Sequence, residues 1–244
     1  MAVTYDDFVA AVKAYWDIKD TQFRESAIAK AVGQGTAGSV RGGKHFDSIA
    51  ILIAKFFVDA GYPKDSIRVS GRATLALPGY YRPQKQWDLV VAYEGTLVAA
   101  FELKALGGPS FGNNYNNRVE EALGSAVDLR RAELADTYTG EKPWLGYFFI
   151  MQDHPKSRSQ VRIEPGSAFN VDAVWLEHSS YQDRFAVFCK RLIDEGLYDS
   201  VCYVTSSPEM PTPVEPSESL DWAHFSAGIK ARLTYLHELG IPHQ

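Results

Sequence analysis

The sequence predicts a single α/β domain, and three observations carry the prediction. Segments with strand character at 67–77, 86–93, 96–104, 144–152 and 201–205 are interspersed with segments of helical periodicity. The two kinds interleave too closely for separate helical and strand domains. The chain has 244 residues, 45% of them hydrophobic and 23% charged, which suits one large core. No run approaches the roughly 18 apolar residues that a membrane span requires.

Taken in order, residues 5–17 (YDDFVAAVKAYWD) have apolar positions at helical spacing, and 21–32 suits a second short helix. Five glycines then fall in GQGTAGSVRGG, between Gly33 and Gly43, where backbone is free or must approach a ligand. Ile49, Leu52, Ile53, Phe56, Phe57 and Ala60 form one face of the clearest helix. Asp47 sits at its start, and Gly61 with Pro63 stops it. After the first three strand segments, a helix is expected from about Asn116 to Leu134, then the buried strand 144–152. A helix over 181–195 and a short strand over 201–205 follow. Residues 206–244 read as a proline-rich connector and a docked terminal helix near 219–239, within the same domain.

The net charge of −5 is unevenly spread. Residues 194–244 hold eight acids against Lys230 and Arg232; removing these from 30 acidic and 25 basic residues leaves 22 against 23 in residues 1–193. A near-neutral body with an acidic end neither demands nor excludes nucleic acid. Cys189 and Cys202 are too few for a disulfide scaffold and lack metal-site spacing. The acidic start, MAVTYDDFVA, argues against a signal peptide, so a reduced cytoplasmic protein is expected.

Chemistry concentrates in two adjacent strand segments. Glu102 and Lys104 end an apolar run, Leu97–Phe101, and share a strand face; Asp88 is embedded in Trp87-Asp88-Leu89-Val90-Val91. Ionised groups in apolar strands are costly unless paired or bound to metal. The turn decides whether Asp88 can join them. A two-residue turn at Glu94-Gly95 puts Asp88 and Glu102 on opposite faces. A three-residue loop, Tyr93-Glu94-Gly95, puts them on one face, with Gly95 in the left-handed position such loops favour. We expect the latter, with Asp88 opposite Ala100 and roughly 7–8 Å diagonally from Glu102. Asp88, Glu102 and the Leu103 carbonyl then offer hard oxygen ligands suited to Mg²⁺. Lys104 can orient water and stabilise charge on a phosphate. Otherwise the three are an ion pair at a strand end. Glu120, Glu121 and Asp47 could supplement the site, but helix-terminus stabilisation explains them better.

Asp-x13-Glu-x-Lys has the form of the PD-(D/E)xK nuclease motif. LPGYYRPQKQWDLVV, LVAAFELK and GPSFGNNYNNRVEEALGSAVDL closely resemble the XhoI-type restriction endonucleases. SVRGGKHFDSI and SSYQDRFAVFCKRLIDEG extend the likeness over roughly residues 38–197. The resemblance implies a PD-(D/E)xK core, a mixed central sheet flanked by helices, with Asp88, Glu102 and Lys104 as the triad. It implies a Mg²⁺-dependent homodimer cutting both strands of a palindrome in double-stranded DNA, typically CTCGAG with a four-base 5′ overhang. A partner DNA methyltransferase protecting the host is also implied. Trp87 stands where the general motif has proline.

Candidate DNA contacts follow. Arg41 and Lys44 flank glycines in a segment close to a P-loop, yet His45 replaces the Mg²⁺-binding hydroxyl. They suit a loop laid along phosphates, or a solvated one. Asn113, Asn114, Asn116 and Asn117 surround Tyr115 and suit base or backbone contact after the catalytic strand, or a turn into a helix. Lys156 and Arg158, with Arg162, form a basic run; Arg82 and Lys85 stand six and three residues before Asp88. No set of histidines has a metal-site or nuclease spacing. The alternatives to a restriction enzyme are a repair or junction-resolving nuclease of the same fold, an inactive DNA-binding module and, last, an NTPase.

Overall fold

The first helix needs no break where two were expected, because Ile18-Lys19-Asp20 contains neither glycine nor proline. It runs unbroken as α1, Tyr5–Ala31. The computed structural model describes residues 2–31, 44–69, 75–108, 110–163, 169–177 and 179–242; the glycine-rich segment with Arg41 lies outside them. Helix α2, Asp47–Asp59, buries Ile49, Leu52, Ile53, Phe56 and Phe57 as its spacing predicts. Gly61, at φ +92°, ends it.

The expected strand over 67–77 is two pieces in two sheets: β1, Ile67–Arg68, and β2, Ala76–Pro78. The expected strand over 86–93 is likewise divided into β3, Gln84–Gln86, and β4, Leu89–Tyr93. The chain changes partners between them. The Trp87 N–H donates to the Leu75 carbonyl at 2.9 Å, whereas the Asp88 N–H donates to the Phe101 carbonyl at 3.1 Å. Strands β2 and β3 form a separate antiparallel ribbon.

Strand β5, Thr96–Leu106, is central. It leads through α3, Phe111–Leu134, to β6, Trp144–Gln152. Short helices α4, Pro155–Arg158, and α5, Val174–Glu177, precede α6, Tyr181–Asp194, which leads to β7, Ser200–Ser206. Among the described residues the main sheet has the order β1-β4-β5-β6-β7, antiparallel at β4–β5 and parallel at β5–β6 and β6–β7. This is a mixed α/β sheet with helices on both faces. Parallel strands buried on both sides read as the continuous apolar runs WLGYFFIMQ and SVCYVTS.

The sheet separates two apolar layers. Residues of α1 and α2 pack on one face with α7, Trp222–Glu238, where the rings of Phe8 and Trp222 stack at 4.5 Å. Residues of α3 and α6 pack on the other, where Phe149 stacks on Phe185 at 3.7 Å. Helix α7 packs against the first layer, burying Phe225, Ile229 and Leu236 completely. Both cysteines are buried and free. Among the described residues no helix is long and apolar enough to cross a membrane.

The β4–β5 connection corrects the expected three-residue loop. Tyr93 pairs with Thr96 around a two-residue turn, with Glu94 at φ +46° and Gly95 at φ +82°. Both central residues are left-handed, as in the turn that matches strand twist, and glycine adopts that conformation without a Cβ clash. A bulge follows: Ala92 pairs with Leu97 but Val91 pairs with Ala99, so Val98 is the extra residue. Gly95→Ala has ordinary space around its added Cβ, 4.0 Å from the Thr139 hydroxyl, and its cost is conformational. It should lower the unfolding free energy by about 1 kcal/mol in urea titration. No change in midpoint would mean that the turn does not constrain the hairpin.

Candidate active site

The bulge decides which side chains meet. From Val91 towards β4's start the paired residue numbers run Val91–Ala99, Val90–Ala100 and Leu89–Phe101. The ladder ends at Leu89–Phe101, the Asp88 N–H donates to the Phe101 carbonyl, and the Asp88 and Glu102 side chains meet on one face at Lys104. The apolar layers agree: Leu97 faces the α3–α6 layer, Val98 and Ala99 both face the other, and Ala100 returns.

Lys104 joins the two carboxylates. Its ammonium lies 2.6 Å from Glu102 Oε1 and 3.1 Å from Asp88 Oδ2. Asp88 Oδ2 also accepts the Leu103 N–H at 2.8 Å. The N–H and C=O of one strand residue project towards the same edge, so the Leu103 carbonyl lies on Asp88's side. Glu102 is 3% exposed. Its second oxygen accepts from Lys85, which was expected to contact DNA; instead Lys85 reaches from β3 into the site, its side chain 12% exposed. The Lys85 ammonium also lies 4.3 Å from the centre of a Trp87 ring and donates to the Gln86 carbonyl at 3.0 Å.

These contacts set the charge states. Burial alone would raise the Glu102 carboxyl, but Lys85 and Lys104 outweigh it and hold it below the usual range. Asp88 moves the other way: burial and then the Glu102 charge raise it, against Lys104 and the Leu103 N–H. Burial disfavours the Lys104 ammonium, yet Glu102 and Asp88 overcome that and raise it. The resting cluster is two carboxylates and two ammoniums, electrically balanced. Its oxygens, two carboxylates with a neighbouring carbonyl, fit a hard divalent cation.

The ribbon that delivers Lys85 is anchored from α3. Asp128 Oδ1 accepts the Tyr80 and Tyr81 N–H groups at 2.8 and 2.7 Å, and its Oδ2 accepts from Arg82 Nε at 2.7 Å. Gly79 is required there, since a Cβ would stand 2.3 Å from Asp128. Tyr80 and Tyr81 remain exposed beside Arg82.

Two more basic groups approach from α1 and the start of α2. Burial lowers Lys19 to about 8; its ammonium lies 4.7 Å from the centre of a Trp16 ring. His45 is lowered to about 4 by burial, then by the charges of Lys19 and Lys104, and so stays neutral near pH 7. Its Nδ1 is buried without a partner. Neither residue carries a sequence signal, because nothing local places α1 beside the end of β5.

The other expected contacts are dispersed. Helix α3 begins at Phe111, not near Asn116, so all four asparagines lie in its first two turns. Buried Phe111, stacked on Tyr181 and His154, holds that early start. Asn113, Asn116 and Asn117 are exposed and Asn114 is half-buried. Tyr115 points inward between Tyr181 and Phe185, and burial raises it to about 12. Asn113, Lys156, Gln160 and Arg162 line a groove of about 580 Å³. Arg158 is exposed but bound by Asp153 at 2.7 Å. The Lys44 side chain, like Arg41, falls outside the description.

Residues 25–213 match the family described as restriction endonuclease XhoI. The chain is 37% identical over 188 residues to the type II restriction enzyme XhoI of Xanthomonas vasicola, covering 76% of this chain and 74% of that one. It is 36% identical over 181 residues to the type II restriction enzyme BstVI of Geobacillus stearothermophilus, covering 72% and 79%. It is 34% identical over 172 residues to the type II restriction enzyme AbrI of Azospirillum brasilense, covering 70% and 76%. No solved structure matches.

The Asp128 anchor has a pH signature. Burial would raise its carboxyl, but the Tyr81 N–H, Arg82 and the Tyr80 N–H hold it below the usual range. A depressed carboxylate stabilises the fold above its unfolded value and loses that contribution as pH falls through the folded one. Asp128→Ala should therefore cost about 2 kcal/mol at neutral pH. The gap between variant and wild type should narrow below about pH 4. Urea titrations of both proteins between pH 7 and pH 3 measure it; a gap independent of pH would contradict the assignment.

Proposed function

We infer the activity from one premise, that the chain belongs to the XhoI family of restriction endonucleases. We propose that it is a Mg²⁺-dependent enzyme cutting both strands of double-stranded DNA at a palindrome, CTCGAG, and leaving 5′ overhangs. The observation that carries this reading is the meeting of Asp88, Glu102 and Lys104 on one face at the end of β5.

Each residue has a role that its surroundings support. Asp88 and Glu102, with the Leu103 carbonyl, would hold the divalent ion. When bound, that ion polarises the scissile phosphate and acidifies a water. Lys104, kept cationic by its two carboxylates, is suited to orienting the attacking water and stabilising the developing negative charge, rather than to accepting a proton. Attack in line with the 3′ oxygen breaks the P–O3′ bond and leaves a 5′-phosphate and a 3′-hydroxyl. Duplex contact is assigned to Arg82, Lys156, Arg158, Asn113, Asn114, Asn116 and Asn117, with Arg41 and Lys44 retained as proposed contacts. A palindrome has two scissile phosphates related by a two-fold axis, and each chain has one such set, so the simplest assembly is a symmetric homodimer. A cytoplasmic location and a partner methyltransferase complete this reading.

Plasmid DNA incubated with the protein and Mg²⁺ should give discrete fragments, and none with a chelator present. Glu102→Ala and Lys104→Ala should each lower cleavage by about 10³-fold or more while still shifting a duplex carrying the site. Full activity in either variant would remove that residue from the catalytic set. A preference for branched DNA would favour junction resolution, and binding without cutting would favour an inactive module. Sedimentation with a duplex carrying the site should give two chains per duplex; one chain would exclude the homodimer.

A further inference from the structure

Glu102 is the most deeply buried ionised group of the site, and its two oxygens are both taken. Oε1 accepts from Lys104 and Oε2 from Lys85. The two lysines differ in how they are held. Lys104 comes from the same strand as Glu102, two residues on, and is shared with Asp88. Lys85 comes from the separate β2–β3 ribbon, and among the described residues its other contacts besides Glu102 are its own neighbours, the Trp87 ring and the Gln86 carbonyl. Lys85 is therefore the ammonium whose departure leaves the Lys104 link between Asp88 and Glu102 in place.

The charge balance gives that mobility a purpose. With two carboxylates facing two ammoniums, a dication would add two uncompensated positive charges to a poorly solvated cluster. It would also draw on the Glu102 carboxylate, whose Oε2 is paired with Lys85. We propose that Lys85 is the resident counter-cation of the proposed metal site, holding Glu102 in the DNA-free protein and yielding it when a divalent ion loads. This rests on the metal-binding reading above. It adds to the phosphate contact expected for Lys85 a direct restraint on metal affinity in the DNA-free protein. A duplex phosphate then offers the released ammonium an alternative anion, which links metal loading to substrate and restrains loading without it.

The consequence is a gain on deletion, which a merely structural lysine would not give. Metal-stripped full-length protein is titrated calorimetrically with Mg²⁺ alone, without DNA, as wild type, Lys85→Met, Lys85→Gln and Glu102→Gln. Both Lys85 variants should bind Mg²⁺ about tenfold or more tightly than wild type, and Glu102→Gln should lose the binding. Two Lys85 variants are used because methionine keeps the stem on Trp87 while glutamine keeps a donor; thermal melts confirm that each is folded. If the Lys85 variants bind no more tightly than wild type while Glu102→Gln still abolishes binding, the counter-cation role is overturned and the metal site stands. If no protein binds Mg²⁺, the metal reading fails and this inference with it.

Discussion

One extra residue in β5 controls the site. A two-residue turn at Glu94-Gly95, left uncorrected, would pair Asp88 with Phe101 and direct its carboxylate into the layer formed by α1, α2 and α7. The bulge at Val98 shifts the register to Leu89–Phe101, and Lys104 then reaches both Asp88 and Glu102. The extra residue's carbonyl does not go unanswered. Arg232 on α7, 9% exposed, donates from Nε to the Val98 carbonyl at 3.3 Å and from Nη2 to the Lys142 carbonyl at 2.9 Å. A helix near the C-terminal end of the chain thus braces the irregularity that aligns residues from the two strands of the hairpin. A lost ladder bond is replaced by a charged donor inside the core, where an unpaired carbonyl would be costly.

The second constraint is electrostatic. Carboxylates in an apolar strand pair are tolerated because lysines from two directions neutralise them. Lys104 is obligatory in this sense, since its spacing from Glu102 fixes it on the same face. Lys85 depends on the ribbon, and the ribbon depends on Asp128 gripping the 80–82 backbone from α3. The buried Asp128 carboxylate holds a loop that presents Tyr80, Tyr81 and Arg82 outward and Lys85 inward.

Much of this was legible in the chain. Apolar runs gave the buried strands, their helical spacing gave α2 and α6, and Asp88, Glu102 and Lys104 stood out as charges embedded in those runs. The register was legible only as a parity requirement. The sequence shows that the two carboxylates need one face, but a bulge at Val98 and a three-residue loop satisfy parity equally well, and nothing in Leu97-Val98-Ala99 marks the bulge. The division of the 67–77 and 86–93 segments was hidden for a related reason. Strand propensity does not say which partner receives the Trp87 and Asp88 amides. The ion pair of Lys85 with Glu102 was not foreseen, because a lysine near a nuclease motif suggests phosphate. The clue to its inward position was local, since it lies two residues before the buried Trp87 and so shares that face. The early start of α3 depends on long-range stacking of Phe111, which overrides the weak helical preference of glycine and asparagine.

The most direct measurement is anomalous diffraction from crystals of the protein grown with Mn²⁺ in place of Mg²⁺. The account predicts a single strong peak in contact with both Asp88 and Glu102, with the Lys85 ammonium no longer on Glu102 and Val98 still bulged. A peak that misses either carboxylate, or a hairpin without the bulge at Val98, would contradict it.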